Sequence, residues 1–278
     1  MLINGSPYGV VTGPDGALWF TLAQQGQIGR VVPGDEPTLF PLDPADGQPT
    51  VITASHDGAL WFTEYAGGRV GRITVDGTVR SFDVASPYGI VAGPDGAMWF
   101  TQLQGDRIGR IDPAGEMRFV DLPTEKAMPS AIAAGPDGAL WFTLNQGNAI
   151  GRVTVDGEVR VHPLPTEAAA PVGICAGPDR AMWFVEIGAG QVGRIDGAGA
   201  VTEYPLPDRA ARPHAIVAGP DGALWFTEWG TGKLGRITID GTIEEYPLAG
   251  AEPHGLTVGP DGRIWVAMES GALVPAER

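Results

Sequence analysis

A chain of 278 residues, 43% of them hydrophobic, can bury a sizeable core, which excludes a disordered protein. Its 18 Lys and Arg stand against 33 Asp and Glu, a formal charge of -15, so a counterion-release grip on phosphates is excluded and nucleic acid is not an expected partner. One cysteine, Cys175, rules out an internal disulfide framework and fits a reducing compartment; it reads as buried filler rather than a nucleophile, and a cytoplasmic location is the expectation.

The chain begins "MLINGSPYG", with neither a basic n-region nor an apolar h-region, and eighteen consecutive apolar residues occur nowhere. Neither an export signal nor a membrane span is expected. Tryptophans then recur at 19, 61, 99, 141, 183, 225 and 265, with Trp229 standing outside the series, so the chain repeats itself about every forty residues. The units begin near residues 7, 49, 87, 129, 171, 213 and 253. Each contains a turn of the form "GPDG", at 13, 93, 135, 219 and 259, replaced by "SHDG" in the second unit and "GPDR" in the fifth.

Within a unit all signals are those of strands and turns. In the sixth, "HAIVA" is a short apolar run, "GPDG" a turn with proline second and glycine fourth as type I geometry favours, "ALWFTE" an aromatic run, "KLGRIT" an alternating one, "IDG" a turn and "TIEEYPL" a fourth strand. Helical periodicity is absent. Four antiparallel strands repeated seven times, with no helix to cover a flat sheet, hide their apolar faces by packing radially. The sequence therefore predicts an all-β fold, a seven-bladed β-propeller of four-stranded blades forming one domain over residues 1–278. The last unit, ending "GALVPAER", lacks a fourth strand, and Leu2 and Ile3 are the candidates to complete it.

This strand order puts the start of each first strand and the end of each second strand on one face of the disk, where the units differ most. After the leading proline stand Tyr8, Thr50, Tyr88, Ser130, Val172, His214 and His254; before it stand Ser6, Gln48, Ser86, Met128, Ala170, Arg212 and Glu252. Four residues past the repeated tryptophan the sixth unit has Trp229 and the seventh Glu269. Two imidazoles and two carboxylates, His214, His254, Glu252 and Glu269, thus converge across two adjacent blades. The competing reading is that such residues are solvated at a water-filled mouth. His56, in a turn, and His162, on an outer strand, have no expected chemical role. Glu64, Glu186 and Glu228 end second strands at a repeated position and read as structural or solvated; the repeated Trp and "IGR" residues read as interblade packing with aliphatic Arg stems along apolar surface.

Two carboxylates suit Mg²⁺, which keeps several waters and leaves places for a substrate oxygen, whereas zinc more often recruits the histidines themselves. A free imidazole can act as general base, and a metal can offset charge developing on a carbonyl oxygen. The spacing fits proton abstraction beside a carbonyl and activation of water equally.

The run "RPHAIVAGPDGALWFTEWGTGKLGRITIDGTIEEYPLAGAEPHGLTVGPDGRIWVAMES", with "SPYG", "GPDGAMWFT" and "PVGICAGPDRAMWFVEIG" in earlier repeats, resembles the virginiamycin B lyase (streptogramin B lyase) family. That resemblance covers all seven repeats. It implies a carbon-oxygen lyase that opens the cyclic depsipeptide ring of type B streptogramin antibiotics at its ester, by elimination, and so confers resistance. It also implies that His254 is the general base, that Glu252 and Glu269 bind Mg²⁺, and that His214 contacts the substrate, with Tyr8, Tyr88 and Trp229 as walls for the ligand's aromatic groups. The expected partner is a small cyclic depsipeptide, and a monomer is the simplest assembly. A hydrolytic propeller lactonase and a noncatalytic binding propeller are the alternatives.

Overall fold

The alternation in each repeat becomes four antiparallel strands hydrogen-bonded in chain order. In the sixth blade they are Pro213–Ala218, Leu224–Glu228, Lys233–Ile237 and Ile243–Pro247. The structure, a computed structural model, describes residues 1–276; Glu277 and Arg278, inside the expected single-domain span, lie outside the described residues. Among the described residues the one helical element is the short 3₁₀ turn Ala45–Gly47. The seven first strands pack side by side in a ring, and Pro253–Val258 of the last blade closes it against Pro7–Thr12 of the first.

Six sheets have four strands and the seventh has three. The N-terminal residues named as candidates pair with it despite the shortness of the segment: Leu2 bridges Ala272, the Ile3 amide donates to the Gly271 carbonyl at 2.8 Å, and the Leu273 amide donates to the Met1 carbonyl at 3.0 Å. Closure needs only backbone pairing plus one buried side chain, Ile3, so a very short segment suffices.

Second strands are buried throughout, because both faces of every blade are covered by neighbours. The phenylalanine after the repeated tryptophan in the first six blades explains the glycine of "IGR": a Cβ added at Gly235 would lie 2.1 Å from the Phe226 ring. The arginine of that motif does more than lay an aliphatic stem on apolar surface, which corrects the expectation. In blade three the turn carboxylate of Asp95 accepts the Trp99 indole N–H at 3.0 Å on Oδ1 and the Arg110 Nε–H at 2.6 Å on Oδ2. Burial opposes charge on Asp95, yet these two donors hold its carboxyl below the usual range. Blades one, four, five and six repeat the arrangement through Asp15, Asp137, Asp179 and Asp221.

Two blades depart from it, each for a local reason. In blade two, Ser55 replaces the turn glycine and its hydroxyl donates to Asp57 Oδ1, leaving the buried Trp61 Nε1 without a partner. Blade seven has no "IGR", and Arg263, two residues after Asp261, supplies the guanidinium instead, with Nε 2.8 Å from Oδ2.

Removing the turn carboxylate should therefore hurt unequally. Asp95→Ala, which orphans a buried indole N–H, is expected to lower unfolding free energy by about 2–3 kcal/mol in urea titrations. Asp57→Ala should cost about 1 kcal/mol less, since Trp61 is already unpartnered; equal losses would contradict the tether.

Candidate active site

A left-handed residue precedes the leading proline in six blades: Gln48, Ser86, Met128, Ala170, Arg212 and Glu252 have φ between 47° and 57°. Such a φ is unfavourable for a residue with a side chain. It turns the carbonyl back on the end of the second strand, where it accepts the amide of the residue four past the tryptophan: Tyr65, Leu103, Asn145, Ile187, Trp229 and Glu269 in turn, at 2.9–3.3 Å. This backbone clasp juxtaposes two side chains at the mouth of every blade from the second to the seventh. In blade six they are Arg212 and Trp229; in blade seven, Glu252 and Glu269.

The 3.1 Å backbone clasp sets Glu252 and Glu269 side by side, and burial raises the Glu269 carboxyl above the usual carboxylate range although the Glu252 carboxyl acts the other way. Among the described residues neither has a Lys or Arg ion partner; the nearest basic atom to Glu269 is His254 Nε2 at 3.4 Å. Two carboxylates pressed together without a cation are mutually repulsive, so this donor pair fits a divalent ion. Among the described residues no group of three or more His, Cys, Asp or Glu is placed to hold a metal. Water or substrate oxygens would therefore have to complete the shell, as Mg²⁺ tolerates.

His254 is not the solvent-facing residue expected from its position: it is 8% exposed. Tyr8 stacks on its ring at 4.4 Å and 29°, His214 meets it edge-on at 4.7 Å, and Trp229 closes a third side at 6.5 Å. Thr227 Oγ1 donates to the His254 carbonyl at 2.8 Å, tying its backbone to the sixth blade. Burial pulls the His254 pKa down to about 4; burial, His254 and then Arg212 pull His214 down to about 3. Both imidazoles are neutral at pH 7. Their Nδ1 atoms, and Trp229 Nε1, are buried without hydrogen-bond partners. These unpartnered nitrogens belong to one cluster of rings, in which His254 touches both His214 and Trp229.

Tyr8 and Tyr88 were expected as walls. They also join hydroxyl to hydroxyl at 2.8 Å across the second blade, and Tyr65, which the sequence reading passed over, extends the aromatic arc edge-on to Tyr88 at 6.4 Å. Beneath them the channel is not the polar, water-lined passage supposed from propeller mouths in general. Val10, Ile52, Ile90, Ile132, Ile174, Ile216 and Leu256 occupy the same place in successive blades and line a cavity of about 220 Å³. Polar chemistry is thus confined to the rim, where His214, Tyr8 and Tyr88 lie above the aliphatic belt.

The remaining candidates stand apart from this cluster. Glu64, Glu186 and Glu228 are buried, not solvated. Glu64 makes a two-point pair with Arg69, Nε to Oε1 at 3.0 Å and Nη2 to Oε2 at 2.7 Å. Burial raises the Glu186 and Glu228 carboxyls to about 7 and about 6, with one oxygen of each unpartnered. His162 stacks on Trp141 at 5.8 Å, and burial drives the Cys175 thiol up to about 12, so neither supplies a reactive group.

The model of the virginiamycin B lyase family matches residues 2–275. The chain belongs to that family. Virginiamycin B lyase from Staphylococcus aureus superposes with a TM-score of 0.95 at 42% identity, covering 99% of this chain and 97% of that one. A catalytically inactive variant of the same lyase, with a histidine replaced by alanine and described with quinupristin, matches with a TM-score of 0.95 at 41% identity over 99% and 97% of the two chains. The virginiamycin B lyase of Saccharopolyspora erythraea is 59% identical over 39 residues, a stretch of only 14% of this chain and 13% of that protein. Among the described residues no helix is long and apolar enough to cross a membrane.

The buried titratable groups have opposite pH signatures. Because the two histidines bind protons more weakly folded than unfolded, the stability they confer is present above pH 6.5 and lost as pH falls toward 4. In NMR titrations neither ring should titrate between pH 8 and 5.5; a midpoint near 6.5 for either would refute the buried, neutral assignment. Glu186 holds its proton more tightly folded, so its contribution is lost as pH rises through about 7. Glu186→Gln should match the parent in Tm at pH 5 and exceed it at pH 8 by about 2–4 °C, the shift expected for each kcal/mol in a chain of this size.

Proposed function

We propose that this protein linearises type B streptogramin antibiotics by elimination at the ester of their cyclic depsipeptide ring, and that His254 is the base, Glu252 and Glu269 the magnesium carboxylates, and His214, Tyr8, Tyr88 and Trp229 the substrate contacts. The observation that carries this reading is a buried, neutral imidazole held by three aromatic rings beside two unpaired carboxylates, in a member of the virginiamycin B lyase family. A relative inactivated by loss of one histidine, and described with quinupristin, points the same way. Of the four histidines only His214 and His254 reach this space.

The mechanism follows from charge and reach. Nδ1 of His254 is sealed, so Nε2 is the nitrogen left to meet a substrate. It takes the α-proton of the residue whose side-chain oxygen is esterified. The electron pair of that C–H bond forms a carbon-carbon double bond, and the β-carbon-oxygen bond breaks with its pair going to the departing carboxylate. No water enters, and the linear product has the mass of its parent. A neutral base becomes an imidazolium 3.4 Å from the Glu269 carboxylate, an attraction that exists only once the proton has moved and therefore lowers the barrier rather than the ground state. Magnesium bound by Glu252 and Glu269 would offset negative charge building on the carbonyl oxygen next to the abstracted proton. Stacking by Tyr8 and the Thr227 bond to the His254 carbonyl keep the ring aligned through the transfer.

Incubating a type B streptogramin with the protein in ¹⁸O-water, with and without EDTA, is the direct test. Unlabelled linear product of unchanged mass, blocked by EDTA, is expected; a product heavier by one labelled water would make the enzyme a hydrolase, and no product would leave a binding propeller. His254→Gln should lower turnover by about 10²–10⁴-fold, the usual worth of a general base. Glu252→Gln and Glu269→Gln should each raise the Mg²⁺ concentration giving half-maximal rate, and an unaltered metal titration would remove them as ligands.

A further inference from the structure

Arg212 is the one cation among the side chains that the clasp presents at the mouth. The equivalent places are filled by Gln48, Ser86, Met128, Ala170 and Glu252 before the prolines, and by neutral residues or Glu269 at the strand ends. Its guanidinium lies over the Trp229 ring at 4.7 Å, and the Trp229 amide donates to the Arg212 carbonyl at 3.2 Å, so both ends of the residue are held. It is near enough to His214 to depress that imidazole by its charge. Among the described residues, however, it has no carboxylate partner and its side chain makes no hydrogen bond, although the protein carries 33 acidic residues. By contrast, the six "IGR" arginines each hold the carboxylate of a turn aspartate. Arg212 is exposed at the rim, and an arginine held by stacking on Trp229 with its fork of donors free has the chemistry to receive an anion.

The geometry points to Arg212 as the residue that receives the carboxylate released from the ester. This inference rests on the ring-opening reading above. The intact cyclic substrate has no charge at its ester; cleavage sends the electron pair of the carbon-oxygen bond to the carboxyl oxygen, and a full negative charge appears in a site that already holds Glu252 and Glu269. Glu252 and Glu269, which would hold the magnesium ion, have no hydrogen-bond donor to offer that anion when ionised. Arg212, on the Trp229 side, offers two parallel N–H donors to the new anion as it forms. Arg212 thus binds the leaving group and the product while contributing little to binding of the uncleaved ring.

The test compares two linear peptides, the ring-opened product with its free carboxylate and the same peptide as its carboxamide, titrated against the wild type, Arg212→Lys and Arg212→Gln by isothermal calorimetry, alongside steady-state turnover of the cyclic antibiotic. The wild type should bind the acid about tenfold more tightly than the amide, the worth of one charged hydrogen-bonded pair. Arg212→Gln should abolish that difference by weakening the acid alone, and should lower kcat about 10-fold or more with KM for the cyclic substrate changed less than about twofold. Arg212→Lys, keeping the charge but not the fork, should recover part of both effects. Equal weakening of acid and amide in Arg212→Gln would reduce Arg212 to a prop for Trp229 and overturn the proposal, as would a wild type that turns over the antibiotic but binds the two peptides alike. A wild type that leaves the antibiotic intact would instead sink the lyase reading, and this inference with it.

Discussion

Each blade hangs on one carboxylate. In five of the seven blades the turn aspartate joins the indole of the second strand to the guanidinium of the third, so one end of the sheet is pinned by the same charged hydrogen bonds. Where a neighbour changes, the tether is rebuilt, as by Arg263 in the seventh blade, or impaired, as by Ser55 in the second. Rigidity at that face leaves the opposite face free to vary, and the opposite face is where the blades differ.

What holds the opposite face is made of backbone. The clasp between a left-handed carbonyl and a strand-end amide needs no particular side chain, which is why Gln48, Ala170, Arg212 and Glu252 all serve in it. It fixes where two side chains stand without fixing what they are. The left-handed geometry of Glu252 is accordingly a property of the fold, shared with five other blades, and not strain reserved for chemistry. Side chains set on this frame inherit its precision at little cost in packing.

The electrostatic character of the site comes from its surroundings. An aliphatic belt under the rim and three aromatic rings around His254 strip water from the imidazoles, so they are neutral where exposed histidines would be partly charged. The carboxylates lie further out, Glu269 partly covered and Glu252 exposed. The site is therefore neutral within and anionic at its outer edge.

The sequence by itself determined the repeat, the strand order and the face on which His214, His254, Glu252 and Glu269 gather, because strand and turn signals are local and the period is carried by the chain; that so short a segment as Leu2 and Ile3 pairs with the last blade was decided by the closed ring. It did not reveal that "IGR" arginines are ion-paired, that Glu186 and Glu228 are buried, or that Tyr8 and Tyr88 share a hydrogen bond. Those depend on residues from 15 to 80 positions apart meeting across sheets. Nor did it reveal that His254 is sheltered and Arg212 unpartnered: exposure and pairing belong to the closed ring, in which the first blade lays Tyr8 over a histidine of the last.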